Sequence, residues 1–301
     1  MNPTAAVVEA RHSRIPKPRR ILLHLFLISM VVVWFFPLAW ALFSALRPYS
    51  DTITSGTALS WPSKISLDNF VAAWNATNLP HFFWNTIIIT IPAVIIALTL
   101  ASMVAFAVAR FSFRFNIALL MLFTAGNLLP PQVIIVPLYH MYLLLPIPKF
   151  LTDNGSGLLY DQIIGIILIN FVFQTGFCTF VLSNYIRTLP HELTEAALVD
   201  GASVFLIYRR VILPLCRPAL AALATLEFTF IYNDFFWGLL LLKTGDKRPI
   251  TAALNNFQGA FFTDPNVLAA MSIMVAIPTI VVYLVLQKQF VRGLTLGSTK
   301  G

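Results

Sequence analysis

Five stretches of this chain run for more than twenty residues without an Asp, Glu, Lys or Arg: Ile21 to Leu46 (26 residues), Asn69 to Ala109 (41), Phe115 to Pro148 (34), Gln162 to Ile186 (25) and Pro265 to Gln287 (23). A helix rising ~1.5 Å per residue crosses ~30 Å of hydrocarbon in about 20 residues, so each stretch can span a membrane. Only 11% of the 301 residues are charged and 58% are hydrophobic, where a soluble domain carries roughly 25% charge. A soluble enzyme and a disordered scaffold are both excluded. A barrel is excluded as well, because its strands need ~10 alternating residues rather than long apolar runs.

The reading is an all-α membrane protein with six transmembrane helices, near Ile21–Leu46, Phe82–Ala109, Phe115–Leu138, Ile163–Ser183, Ala219–Leu242 and Val267–Leu286. The first run is too long for the ~7–15-residue core of a secretory signal and is expected to remain as a span. Residues 1–20 form a cytosolic tail, 21–290 the transmembrane domain and 291–301 a second cytosolic tail. With the N-terminus inside, fourteen Lys and Arg fall in cytosolic segments and six in outer loops, and counting acids leaves +10 inside and 0 outside. That asymmetry predicts an N-in, C-in topology.

The net charge of +8 is sorted between loops, with no basic stripe interleaved with aromatics, so nucleic acid is not an expected partner. His12, His24, His81, His140 and His191 show no metal-ligand spacing, and Cys178 and Cys216 suggest no disulfide framework. Pro130, Pro131 and Pro137 interrupt the third span as a kink. Asn75-Ala76-Thr77 and Asn154-Gly155-Ser156 fit a glycosylation acceptor, a pattern short enough to arise by chance.

Between the fourth and fifth spans, residues 184–217 have the composition of a built element. Pro190 and Glu192 mark a helix start, with a short helix expected over His191–Val199. Gly201 supplies a left-handed stop, Ser203 caps a second helix through Val204, Phe205, Ile207, Tyr208, Val211 and Ile212, and Pro214 is expected to end it. On physics alone an amphipathic pair resting on lipid fits equally well.

The residues of this loop read Glu195-Ala196-Ala197, three residues, Gly201, nine residues, Val211, one residue, Leu213-Pro214. This resembles the EAA loop of binding-protein-dependent ABC importers, with Val211 in place of Ile. Arg187-Thr188-Leu189-Pro190 and Asp200-Gly201-Ala202-Ser203 are similar to its flanks in the carbohydrate branch, as are Pro131-Gln132-Val133 with Ile135 to Tyr139 and Asn233-Asp234-Phe235-Phe236-Trp237 to that branch's third and fifth spans. The ending, Val291-Arg292-Gly293-Leu294-Thr295 to Lys300-Gly301, resembles the smaller, maltose-type permease. Glu227, and Gly238 where Pro is usual, depart from the pattern.

The resemblance implies a type I ABC importer permease fold in a prokaryotic plasma membrane, forming half of a translocation path for a sugar or related carbohydrate. It implies ATPase docking through Glu195, Ala196, Ala197, Asp200, Gly201, Ala202, Ser203, Leu213 and Pro214, and a further ATPase contact through Gly293, Leu294, Lys300 and Gly301. Asn233, Asp234 and Glu227 become candidates for the translocation path. The implied partners are a second homologous permease, two copies of an ATP-binding subunit, an extracytoplasmic solute-binding protein and the lipid bilayer. No G-x-x-x-x-G-K-[ST] loop occurs, so the chain is not expected to be an enzyme or to hold a cofactor, and ATP and Mg are expected on the partner ATPase. Two readings stay open beside this one. A proton-coupled carrier would use Glu227 and Asp234, seven residues apart on one helical face, as its relay, although six spans without an inverted repeat are a thin scaffold. A membrane scaffold that only docks a cytosolic partner would explain the loop but not the buried acids.

Overall fold

A computed structural model describes residues 17–54, 61–76, 78–128, 130–254 and 264–295. Four of its helices are long and apolar enough to cross a membrane: α1 (Lys17–Ala45), α4 (Leu79–Arg110), α7 (Ile163–Thr188) and α14 (Pro265–Thr295). Between them lie α2 (Tyr49–Thr54), α3 (Asp68–Ala76), α5 (Asn116–Leu128), α6 (Pro131–Leu144), α8 (Glu192–Val199), α9 (Val204–Ile207), α10 (Leu213–Leu215), α11 (Arg217–Tyr232), α12 (Phe236–Leu241) and a short turn, α13 (250–254).

The central pair is α4 against α7. Ala93, Ala97, Ala101 and Ala105 recur every fourth residue along α4 and are fully buried. They form a seam of small side chains on the helix that packs against α7, whose own buried residues include Gly176, Thr179 and Ser183. Helices without a hydrophobic driving force between them associate where small residues let the backbones approach. Beside this pair α11 packs on α4, α7 and α14, with Tyr232 Oη donating to Val275 O at 3.0 Å. By contrast α1 exposes apolar side chains from Ile21 to Leu38 and packs on α14. At the end of α1, Asn69 Nδ2 donates to Ala45 O and Arg47 O, both at 2.8 Å, and Asn266 Nδ2 donates to Arg47 O at 3.1 Å, so α3 and α14 satisfy carbonyls that the helix terminus frees.

Two of the expected spans take a different form. The third is a pair of helices whose axes differ by 93°. Pro131 opens α6 where its missing N–H forfeits nothing, and Pro130, extended at φ −60° and ψ 131°, starts a new direction. The fifth is broken. At 16 residues α11 reaches ~24 Å, and the chain then turns at Asn233–Asp234 before α12. The Asp234 carboxylate accepts the Trp237 N–H at 3.1 Å and so competes with helix continuation. Helices also run past the apolar spans: α7 continues to Thr188 and α14 is described to Thr295, while the apolar part of α14 is Pro265–Gln287.

The end of the molecule opposite the 184–217 loop, the outer end under the expected topology, is tied by Asp161. This residue sits in the left-handed region at φ 60°, which Asp and Asn tolerate. Its carboxylate accepts the Thr244 N–H at 2.8 Å and the Thr244 hydroxyl at 2.6 Å, while Lys247 Nζ donates to Asp161 O at 2.8 Å. Burial opposes ionisation, but the two Thr244 donors and the Lys247 charge outweigh it and hold the carboxyl below the usual carboxylate range. A group depressed in the folded state stabilises in full above its unfolded value, about 4, and loses that contribution as pH falls through the folded value. The Thr244 amide should therefore be protected from hydrogen exchange at pH 6 and lose protection below about pH 4. Asp161→Asn keeps the left-handed tolerance without the charge, and its weaker protection at pH 6 should change little on acidification.

Candidate functional site

The 184–217 loop is a helix pair fixed to the ends of α4 and α7. Arg110 Nη2, on the last residue of α4, donates to Leu189 O at 3.1 Å, just before Pro190. Next comes α8, with Glu192 and Glu195 in its first turn, where negative charge meets the positive end of the helix dipole. It closes in a Schellman arrangement: Ala202 N donates to Ala197 O and Gly201 N to Leu198 O, both at 3.0 Å, with Gly201 at φ +75°. Ser203 Oγ then accepts the Leu206 N–H at 3.3 Å and caps α9.

The second helix of the pair does not stop at Pro214. A wide π turn over Tyr208–Ile212, closed by Leu213 N to Tyr208 O, leads into α10. Pro214 falls in the first turn of α10, where its absent donor has no partner to lose. The stop comes at Cys216, where the axis turns by 74° into α11.

One face of this pair is buried and the other is bare. Ile207, Tyr208 and Ile212 pack with Phe106, Leu182 and Ile186, and Tyr208 Oη shares a 2.7 Å hydrogen bond with Ser102 Oγ on α4. Of the expected docking residues, Ala197, Ala202 and Leu213 pack against this inner cluster and Pro214 is half-buried, whereas Glu195, Ala196, Asp200, Gly201 and Ser203 are exposed. Val199 is 87% exposed and Phe205 60%, with Leu193, Leu198 and Val204 also outward. Val199 was not singled out from the sequence, and Phe205 was read only as part of an apolar face. Neither was legible in the spacing: Phe205 stands two turns before the inward Ile212 and reads as the same face until the π turn at Tyr208–Ile212 shifts the phase, and Val199 lies on the other helix of the pair. Contiguous apolar exposure on a well-fixed element marks an interaction surface.

The second cluster is in the membrane. Glu227, fully buried, lies ten residues into α11, and the Cys178 thiol donates to its Oε1 at 3.2 Å. Asp234 Oδ2 accepts from Asn170 Nδ2 at 3.1 Å. Both acids thus meet α7, at positions eight residues apart on an antiparallel neighbour. Asn233 is exposed, its Nδ2 turned back to Thr229 O at 2.8 Å. Cys178 and Cys216 are free and buried, and among the described residues no group of three His, Cys, Asp or Glu could hold a metal ion. Gly293 and Leu294 are in the last turns of α14, while Lys300 and Gly301 lie outside the described residues.

A body of long apolar helices with a helix pair fixed at one end, its outward side apolar, has the build of a membrane transport subunit. The comparisons agree. Residues 97–295 match the family described as binding-protein-dependent transport system inner membrane component, and the chain belongs to that family, as a multi-pass permease subunit of an ABC importer in a prokaryotic plasma membrane. It is 33% identical over 271 residues to a probable ABC transporter permease protein of Pyrococcus horikoshii, covering 88% of this chain and 92% of that one. It is 31% identical over 242 residues to the melibiose/raffinose/stachyose import permease protein MelC of Bacillus subtilis, covering 80% and 83%. In fold it is similar to a crystal structure of a bacterial ABC transporter involved in the import of the acidic polysaccharide alginate, with a TM-score of 0.75 at 22% identity over 93% of this chain and 99% of that chain. The family is one of transport subunits, and the proton-carrier alternative finds no support in it.

Proposed function

We propose that this chain forms half of the membrane path for a sugar or related carbohydrate and takes its energy from ATP hydrolysed on a separate subunit docked against residues 184–217. The observation that carries the proposal is the outward face of α8 and α9, apolar at Val199 and Phe205 and held rigidly to α4 from behind. Relatives named for melibiose, raffinose and stachyose import and for arabinooligosaccharide transport support the substrate class. A similar structure of the alginate transporter in complex with a pentasaccharide-bound periplasmic protein supports an external solute-binding protein as partner. A second homologous permease completes the pore, and two copies of the ATPase bind ATP and Mg, this chain binding neither. The α8–α9 pair docks one of them, with Glu195, Ala196, Asp200, Gly201 and Ser203 at the contact and Ala197, Ala202, Leu213 and Pro214 shaping the pair from behind. The segment from Gly293 to Gly301 reaches the ATPase dimer from the cytosolic side. Closure of the ATPase dimer draws the loops together and rocks the helices to the outward-facing state, the bias coming from differential contact energy.

Val199→Asp with Phe205→Asp places two charges on the outward face and changes no residue of the inner cluster, at the expense of the Phe205 ring contact with Tyr208, 6.2 Å between centroids. Copurification of the ATPase should fall by at least roughly tenfold, a change of about 1.4 kcal/mol, while insertion of the permease is unchanged. Retained association would remove this face from the docking surface.

Within the path, Asn233 with its exposed amide is the residue we place at the wall, with Asp234 shaping the bend beside it. Glu227 serves packing between α7 and α11 near mid-membrane. Glu227→Gln keeps shape and hydrogen bonding but cannot release a proton, so it should retain more than roughly half of ATP-driven uptake, whereas an obligate relay would lose it entirely.

A further inference from the structure

Arg110 has hydrogen-bonding capacity that the docking scheme does not use. Its guanidinium carries five donors in a planar fork that fits a carboxylate through two parallel bonds. Nη2 is engaged by Leu189 O, but Nε and Nη1 are buried without a protein acceptor. Two more polar atoms on the flanking elements are in the same condition: Thr194 Oγ1 on α8 and Asn116 Oδ1, whose own Nδ2 caps the end of α4 at Val108 O and Phe111 O. Buried donors and acceptors are rarely left unmade, because each forfeits the hydrogen bond it had in water. The junction beneath the loop thus holds four buried polar atoms without a protein partner: Arg110 Nε and Nη1, Thr194 Oγ1 and Asn116 Oδ1.

The acid whose charge Arg110 feels points to what completes it. Arg110 lies in the electrostatic range of the Glu192 carboxylate and the Cys216 thiol. Glu192 is the first residue of α8, three positions beyond the Leu189 carbonyl that Arg110 already holds, and its side chain is exposed. No ion pair joins the two here. Only Leu189, Pro190 and His191 separate α7 from α8, so a small rotation about this link moves Glu192 relative to α4.

We infer that Arg110 is a positioning residue that latches the loop: when the ATPase seats against α8, the link between α7 and α8 turns so that the Glu192 carboxylate reaches the buried, unpaired edge of the guanidinium, and α8 and α4 then move as one body. This inference rests on the reading of residues 184–217 as the coupling element. In the arrangement seen here Arg110 tethers the loop at one carbonyl; in the latched one it carries the loop's motion into the membrane helix whose seam holds α7. The charge pair transmits force and takes no part in the chemistry.

The test is made on the complete transporter in vesicles, reading ATP hydrolysis stimulated by the solute-binding protein alongside subunit copurification. Glu192→Gln changes an exposed side chain and so leaves folding intact. It should lower stimulated hydrolysis by roughly tenfold while the ATPase still copurifies, and Arg110→Gln should do the same. Charge reversal at either position should be more severe, and the double reversal Arg110→Glu with Glu192→Arg should regain most of the loss, which a merely structural role for Arg110 would not allow. Wild-type stimulation in Glu192→Gln overturns the latch and leaves docking standing. A wild-type chain that binds no ATPase would instead overturn the docking reading, and the latch with it.

Discussion

Gly201→Val is expected to separate the permease from its ATPase while leaving it in the membrane. Gly201 sits at φ +75° with no atom within 4 Å of where a Cβ would stand, so the penalty is backbone conformation and not collision. For an L-residue the left-handed region costs about 1–2 kcal/mol, equivalent to roughly five- to thirtyfold in an equilibrium. Relief of that strain undoes the Schellman closure between Ala197 and Ala202 and re-aims α9, which carries the exposed Phe205, relative to α8, which carries the exposed Val199. Gly201→Asn provides the control, because Asn tolerates the left-handed region; it should copurify with the ATPase nearly as the wild type does. Equal loss in both variants would point to a direct glycine contact with the partner in place of loop geometry.

The second large effect is expected at Gly238 on α12. A Cβ there would stand 2.6 Å from Pro249 Cγ, 2.8 Å from Pro249 Cδ and 3.3 Å from Ala252 Cβ. A proline ring cannot swing away, so Gly238→Leu must push α12 off the 249–254 segment. Trp237, which meets Phe173 with ring centroids 5.7 Å apart, would lose its seat on α7. Overpacking of this kind destabilises by about 1–3 kcal/mol, and thermal unfolding in detergent should show it as a lower midpoint, with Gly238→Ala intermediate. An unchanged midpoint would mean that α12 and the 249–254 segment are not packed in solution. The same contact accounts for glycine at this position.

Much of this fold could be read from spacing. The charge-free runs mark α1, α4, α7 and α14 because composition over twenty residues is what a bilayer tests. The i, i+4 recurrence of Ala93, Ala97, Ala101 and Ala105 could have been read the same way. Gly201 and Ser203 were legible because each does a local backbone job that few other residues do. The bend before α6 was legible as a kink at Pro130 and Pro131, though not its 93° size; the break after Tyr232 was not, since an apolar window averages over a single Asn-Asp pair. What decides the break is the bond from Trp237 N to the Asp234 carboxylate, a matter of side-chain geometry. The inward and outward faces of the docking pair depended on the π turn at Tyr208–Ile212, which shifts the phase of every residue after it.

The central claim is that this chain moves a carbohydrate only when a separate ATPase works on its 184–217 loop. The most direct measurement is radiolabelled oligosaccharide uptake into vesicles loaded with ATP, comparing the permease alone, the complete assembly with its solute-binding protein, and the assembly carrying Gly201→Val. Uptake should occur only in the wild-type assembly, should persist when a protonophore collapses the proton gradient, and should stop when ATP is omitted. Uptake by the permease alone, or its collapse under the protonophore with ATP present, would contradict the account.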